Sequence, residues 1–183
     1  MIEVRFHGRG GQGAVTSAEL VALAAIEEGK YAQAFPSFGP ERRGAPVMAF
    51  LRVDDRYIRV RDEIRKPDVV VVIDPKLFYL VDVTAGLKEG GWLVLNTKKS
   101  PEEIAREIKG NWKILTVDAT DIALQCLGVP ITNTTMIGAL VRATEIVRLE
   151  SVYKQIEHRF GPLAERNIRA CERAYCEAKI LGG

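Results

Sequence analysis

The sequence is poor in the residues that announce a chemistry most directly. It holds three cysteines, two histidines and two tryptophans among 183 residues. Cys126, Cys171 and Cys176 are odd in number and form no Cys-x-x-Cys pair, which argues against a disulfide framework. An iron–sulfur cluster normally takes four thiolates, so this chain cannot house one alone, and the thiols read as core or half-buried side chains. Long hydrophobic runs are missing too. The longest aliphatic stretch, 69–73, ends at once in Asp74, far short of the roughly 20 apolar residues of a membrane span. Charge of one sign is also lacking: the net value is +2, with bases and acids mixed along the chain, so bulk electrostatics ask for no nucleic acid. The first five residues, Met1-Ile2-Glu3-Val4-Arg5, contain no apolar segment of a signal peptide. The expected setting is therefore the cytoplasm, with neither a membrane nor a nucleic acid as partner. No serine elbow, Walker lysine, His-Glu-x-x-His or paired-carboxylate signature is found, and no metal-ligating cluster stands out.

What is present is an ordinary globular composition, 47% hydrophobic and 27% charged, long enough for one domain over 1–183. Ile2-Glu3-Val4-Arg5-Phe6 alternates like a strand, and the apolar spacing over 14–28 fits a helix stopped by Gly29. Residues 31–35 read as a short second strand. Residues 47–53 and 57–61, flanking Asp54-Asp55-Arg56, read as a hairpin. The run 69–73 is apolar on both faces, as a central parallel strand must be, and a helix is expected over 77–87. Further strands fall at 92–96 and 113–117. Ser100-Pro101-Glu102-Glu103 is a helix start with a capping serine, proline at the first position and Glu at the third. Asn133-Thr134-Thr135 opens another helix, and two more follow. The pattern predicts an α/β fold, three-layer α/β/α and Rossmann-like, its mostly parallel sheet carrying an antiparallel hairpin and its C-terminal third helical. Periodicity leaves open whether the final helix packs on this sheet or on a partner.

The feature richest in chemistry is Gly8-Arg9-Gly10-Gly11-Gln12-Gly13, a literal G-x-G-x-x-G between a strand and a helix. Glycines there admit positive φ and remove Cβ atoms, and the helix start behind them aims amides and partial positive charge at whatever approaches. A dinucleotide site also needs Asp or Glu at the end of the second strand. That strand end reads Ala34-Phe35-Pro36-Ser37, without an acid, which argues against NAD. Two uses stay open: a tight turn serving helix–sheet packing, and contact with an anion or a partner chain. His7, at the mouth of the turn, reads more readily as a structural residue than as a catalyst. Asp74 and Asp118 stand at predicted carboxyl ends of strands, where α/β sheets build sites, and helix capping explains each equally well.

Three stretches together carry a resemblance. Gly8-Arg9-Gly10-Gly11-Gln12-Gly13-Ala14-Val15 is the first, and Ala34-Phe35-Pro36-Ser37-Phe38-Gly39-Pro40-Glu41-Arg42-Arg43-Gly44-Ala45-Pro46 the second. Pro130-Ile131-Thr132-Asn133-Thr134 is the third. In this order they resemble the gamma subunits of the 2-oxoacid:ferredoxin oxidoreductase family, pyruvate:ferredoxin oxidoreductase (pyruvate synthase) in particular. The likeness runs from Met1 to about Tyr175, and Arg42-Arg43-Gly44-Ala45-Pro46 is similar to the pyruvate or branched-chain type. The resemblance implies a share in a complex that decarboxylates a 2-oxoacid on thiamine diphosphate, passes electrons through iron–sulfur clusters to ferredoxin and delivers the acyl group to coenzyme A. Thiamine diphosphate and the clusters would belong to alpha, beta and delta subunits. No catalytic residue is assigned to this chain. Gly8, Gly10, Gly11, Gln12, Gly13, Asn133 and Thr134 are expected to serve coenzyme A or a subunit junction. Phe35, Phe38, Glu41, Arg42, Arg43 and Gly44 are expected to form an interface loop with the two phenylalanines as anchors. The helix starts after Gly13 and at Asn133 are expected to face one cleft. The competing class is a stand-alone Rossmann-like nucleotide-binding domain.

Overall fold

A computed structural model describes residues 1–37 and 43–182. Strand β1 (Ile2–Arg9) passes through the glycine turn into helix α1 (Ala14–Glu27), which leads to β2 (Tyr31–Pro36) and β3 (Pro46–Asp54). Strand β4 (Val69–Val72) and the short α2 (Leu77–Leu80) follow, then β5 (Trp92–Asn96), α3 (Pro101–Glu107), β6 (Lys113–Val117) and α4 (Ala119–Leu127). The C-terminal third is α5 (Asn133–Thr144), α6 (Leu149–Phe160) and α7 (Ala164–Glu177), closed by β7 (Lys179–Ile180). One sheet holds the strands in the order β2-β3-β1-β4-β5-β6-β7. Strands β1, β4, β5 and β6 run parallel, whereas β3 lies antiparallel to both β1 and β2, and β7 antiparallel to β6.

The expected hairpin is real, but its partners differ. Strand β3 has β1 on one side, from Ile2 opposite Val53 to Arg9 opposite Pro46, and β2 on the other, from Tyr31 opposite Asp54 to Pro36 opposite Ala49. Both of its hydrogen-bonding edges are thereby taken, and 57–61 form no strand. That stretch is instead pinned by its buried Ile58, whose carbonyl accepts from Gln33 Nε2, and by Arg52 Nη2 donating to the Asp62 carbonyl. The helix expected over 77–87 stops after Leu80. Val81 is extended at φ −135°, ψ 154°, and the Asp82 carboxylate turns the chain by accepting from both Thr84 N and Thr84 Oγ1. β-Branched Val81, Val83 and Thr84 suit that extended path better than a helix. The capping box forms as read: Glu103 N donates to Ser100 Oγ at 3.2 Å and Ser100 N to Glu103 Oε2 at 2.7 Å.

The period of two along β4 divides the core. Val69 and Val71 join the larger cluster beneath α1 and the C-terminal helices, while Val70 and Val72 join a smaller one with Leu77, Leu93, Leu95 and Ile104. The final helix packs on its own chain. Its Ala170, Cys171 and Ala174 are fully buried, and it meets α5 at Gly138, where an added Cβ would stand 1.9 Å from the Cys171 carbonyl oxygen. Two backbones touch there because one of them has no side chain.

Inside the sheet, His7 is 6% exposed and accepts from Arg5 Nε through its own Nε2 at 2.9 Å, which fixes it neutral with its proton on Nδ1. Arg5 in turn donates to the carbonyls of Val83 and Ala85. Burial, with the Arg5 charge beside it, lowers the imidazole from 6.5 to about 4. This histidine is structural.

Two outcomes follow from the packing. Gly138→Ala is expected to cost about 2–3 kcal/mol by overpacking the α5–α7 contact, read as a lower Tm with the α/β signature of circular dichroism retained. His7 makes stability depend on acid in a defined direction. Between pH 6.5 and about 4 the unfolded chain binds a proton at His7 that the folded chain refuses, so stability falls as pH drops through that window. The loss should reach about 3 kcal/mol, and His7→Gln should remove that component of the pH profile in urea unfolding.

Candidate functional site

The sheet order locates a crevice. From β1 the chain turns through α1 toward the β2 side, and from β4 it turns toward the β5 side. The carboxyl ends of β1 and β4 are therefore a topological switch point, where open α/β sheets place ligands. The glycine turn lies there. Gly11 (φ 90°) and Gly13 (φ 81°) occupy the left-handed region, and Gly13 caps α1 in that conformation. Gly8 is buried behind them, its missing Cβ only 3.3 Å from Ala14 Cβ.

Most polar groups of the turn are bonded inward. Arg9 N donates to Gln12 Oε1 at 2.7 Å, Gln12 N to the Arg9 carbonyl at 3.0 Å, and Gly10 N to the Ala45 carbonyl at 2.9 Å. Gly10 pairs with Arg43 in a parallel bridge, completed by Gly44 N donating to the Gly10 carbonyl. The amides that a bound pyrophosphate would require at the turn are thus already used. Strand β2 is also separated from β1 by β3, so its end does not stand where a ribose-binding acid would. Both observations count against the dinucleotide reading.

Asp74 closes the opposite wall. Its buried carboxylate accepts from Gln12 Nε2 at 2.8 Å and Arg9 Nε at 3.1 Å on Oδ2, and from Lys76 N at 2.8 Å on Oδ1. Arg9 reaches further, from Nη1 to the Gly44 carbonyl at 3.0 Å. Asp118, by contrast, caps α4 by accepting from Asp121 N.

The helix start at Asn133 meets the one at Gly13. An added Cβ on Gly13 would stand 2.6 Å from Asn133 Nδ2, and Ser17 Oγ lies 3.1 Å from both the Gly13 and the Asn133 carbonyl oxygens. Asn133 Oδ1 accepts from Thr134 N, while its Nδ2 has no hydrogen-bond acceptor among the described residues. The first-turn amides of α1, from Ala14 to Thr16, are likewise left for an acceptor outside the helix. Two positive helix ends and an amide donor therefore converge on one spot. Thr134 differs: it is fully buried and spends its hydroxyl on Asn167 Oδ1 at 2.8 Å, so it joins α5 to α7 and faces away from the crevice.

Of the expected interface loop, Phe38, Glu41 and Arg42 lie outside the described residues. Arg43 and Gly44 are exposed beside the glycine turn, Gly44 at φ 80°. Phe35 belongs to strand β2 rather than to the loop; its ring lies 5.2 Å from that of Phe50, with the Arg52 guanidinium 5.4 Å above it. Sequence reasoning passed over Ser17 and the part played by Arg9. The only signal for either was its position, one in the first turns of the helix and one inside the glycine motif.

The thiols do not suit an iron–sulfur cluster. Cys171 is buried and its thiol is pushed up to about 12, Cys126 is half-buried on α4, and Cys176 is exposed on α7. Among the described residues no group of three or more His, Cys, Asp or Glu side chains is arranged to hold a metal ion. No helix of the described residues is long and apolar enough to cross a membrane.

Comparison with known proteins agrees with this geometry. Residues 3–177 match the family model described as pyruvate ferredoxin/flavodoxin oxidoreductase. The pyruvate/ketoisovalerate oxidoreductases common subunit gamma of Thermococcus kodakarensis is 58% identical over 96% of each chain. Pyruvate synthase subunit PorC of Methanocaldococcus jannaschii is 53% identical over 97% of each. The crystal structure of pyruvate oxidoreductase subunit PORC from Thermotoga maritima superposes with a TM-score of 0.86 at 48% identity, covering 98% of this chain and 97% of that one. A match that spans nearly every residue, on a fold whose crevice is built from the same glycine turn and Asn133 helix start, establishes that the chain belongs to the pyruvate ferredoxin/flavodoxin oxidoreductase family.

Proposed function

We propose that this chain is the gamma subunit of a cytoplasmic pyruvate:ferredoxin oxidoreductase, working with alpha, beta and delta subunits and, through them, with ferredoxin. The complex oxidatively decarboxylates pyruvate or a related 2-oxoacid and gives acyl-coenzyme A, carbon dioxide and reduced ferredoxin. Thiamine diphosphate and iron–sulfur clusters belong to the partner subunits. This chain helps assemble the complex and lends its carboxyl-end crevice to coenzyme A. The observation that carries the second role is the meeting of the α1 and α5 starts, with Asn133 Nδ2 between them and exposed Arg43 at the rim. Phosphate groups are the natural ligands of such an arrangement, since helix-end amides and a guanidinium both favour anions. Gly8, Gly10, Gly11, Gln12 and Gly13 shape the floor, and Gly44 shapes the rim. The Thermococcus relative is named as common to pyruvate and ketoisovalerate oxidoreductases, which supports a division of labour in which other subunits select the oxoacid.

The stand-alone nucleotide-binding reading is not favoured, because the turn amides are bonded inward and no acid follows β2. Purified alone, the chain should show no flavin or nicotinamide absorbance and no oxidoreductase activity. Tagged and expressed with its partners, it should co-purify with a thiamine- and iron–sulfur-containing enzyme. In that holoenzyme Arg43→Glu should raise the KM for coenzyme A about tenfold, the effect of losing one well-placed charge-assisted contact. A KM unchanged within twofold, with the complex intact, would remove Arg43 from the site.

A further inference from the structure

We propose that Asp74 is a positioning residue for coenzyme A, acting at a distance by holding the base of the Arg43 loop against the glycine turn. The inference rests on the reading that the crevice receives coenzyme A.

Asp74 is 7% exposed, and burying a carboxylate costs free energy unless donors surround it. Its donors come from three segments: Arg9 at the end of β1, Gln12 in the turn, and the Lys76 amide ahead of α2. The two oxygens have separate tasks. Oδ1 accepts from Lys76 N, a local bond two residues along the chain. Oδ2 accepts only from the turn, taking both Gln12 Nε2 and Arg9 Nε. A carboxylate needed only to start α2 would be satisfied through Oδ1.

Through Oδ2 the order spreads outward. With Nε fixed on Asp74, the planar guanidinium of Arg9 can present Nη1 in one direction, and that direction holds the Gly44 carbonyl at 3.0 Å. Gly44 follows Arg43 directly, and Gly44 N already donates to the Gly10 carbonyl. The peptide on each side of Gly44 is therefore held to the glycine turn, one side by backbone pairing and the other by an arginine whose orientation depends on Asp74. Gln12 couples the same oxygen to the Arg9 backbone by accepting from Arg9 N. Asp74 is thus the common origin from which the turn and the Arg43 loop are set relative to one another, before any ligand arrives. A ligand contact made by a preordered side chain avoids the ordering cost at the moment of binding, so the effect belongs in KM.

The test uses the assembled holoenzyme. Asp74→Asn can keep the Oδ1 bond to Lys76 N but sets an NH2 group against the donors of Arg9 and Gln12, so it cuts the Oδ2 half alone. It is expected to raise the KM for coenzyme A about tenfold while kcat changes less than twofold and the KM for pyruvate is unmoved. Arg9→Gln leaves Asp74 bonded to Gln12 and Lys76 N, severs the link to Gly44, and should give a similar rise. The double variant should be no worse than either single one, since both break one chain of contacts. Additive effects would overturn the proposal. So would Asp74→Asn or Arg9→Gln leaving the coenzyme A KM unchanged while Arg43→Glu raises it, and the reading of the crevice would then survive. If Arg43→Glu also leaves it unchanged, the reading itself falls, and the proposal with it. Should Asp74→Asn fail to assemble, Arg9→Gln decides alone by the same measure.

Discussion

Two helix starts can share one point in this molecule only because residue 13 carries no side chain. A Cβ at Gly13 would stand 2.6 Å from Asn133 Nδ2, and the whole α5 helix would have to move away to accommodate it. The contact has an electrostatic cost as well as a steric condition. The N-termini of α1 and α5 each present about half a positive charge, and like ends brought together repel. Packing offsets the repulsion: α5 is apolar almost all round and buried against α1 and α7, and Ser17 links the Gly13 and Asn133 carbonyl groups. What remains is a small volume of positive potential held in place by the core. An arriving anion relieves the repulsion rather than inducing the geometry.

Asp74 stands near this positive volume without cancelling it. Its charge is taken up by Arg9 and by the amide donors of Gln12 and Lys76, so the acidic wall of the crevice is neutralised from within. The wall becomes a mechanical support. The division also explains a glycine-rich turn that does not grip a nucleotide: its amides are bonded to neighbouring backbone and to Gln12, and the glycines serve close approach between segments of the same chain.

What could be read from the sequence was what is local. The aliphatic run of β4, the capping box at Ser100, the glycine turn leading into α1 and the helix start at Asn133 all follow from neighbouring residues, and each stands where it was expected. The misses are failures of pairing. Residues 57–61 alternate well enough for a strand, but β3 had no free edge to offer, because β1 had claimed one side from far along the chain. Nothing in 77–87 announced that the Asp82 side chain would bend the backbone at Thr84. Phe35 read as a loop anchor because prolines and glycines follow it, yet its ring was needed against Phe50 and Arg52 within the sheet. The site was legible as two motifs. Their meeting at Gly13 and Asn133 joins residues separated by most of the chain, and no periodicity carries that information.

The two ends of the strand order have a bearing on life before assembly. One border of the sheet is β7, a strand of two residues, and the other is β2, which ends in Pro36. A very short strand offers a stray chain almost no ladder to extend, and a proline removes an amide donor from the other rim. A protein whose work requires partners must spend time without them after synthesis. Blunt borders let it wait as a solitary molecule, so that association is directed by the crevice face and its side chains rather than by backbone edges, which pair without regard to sequence.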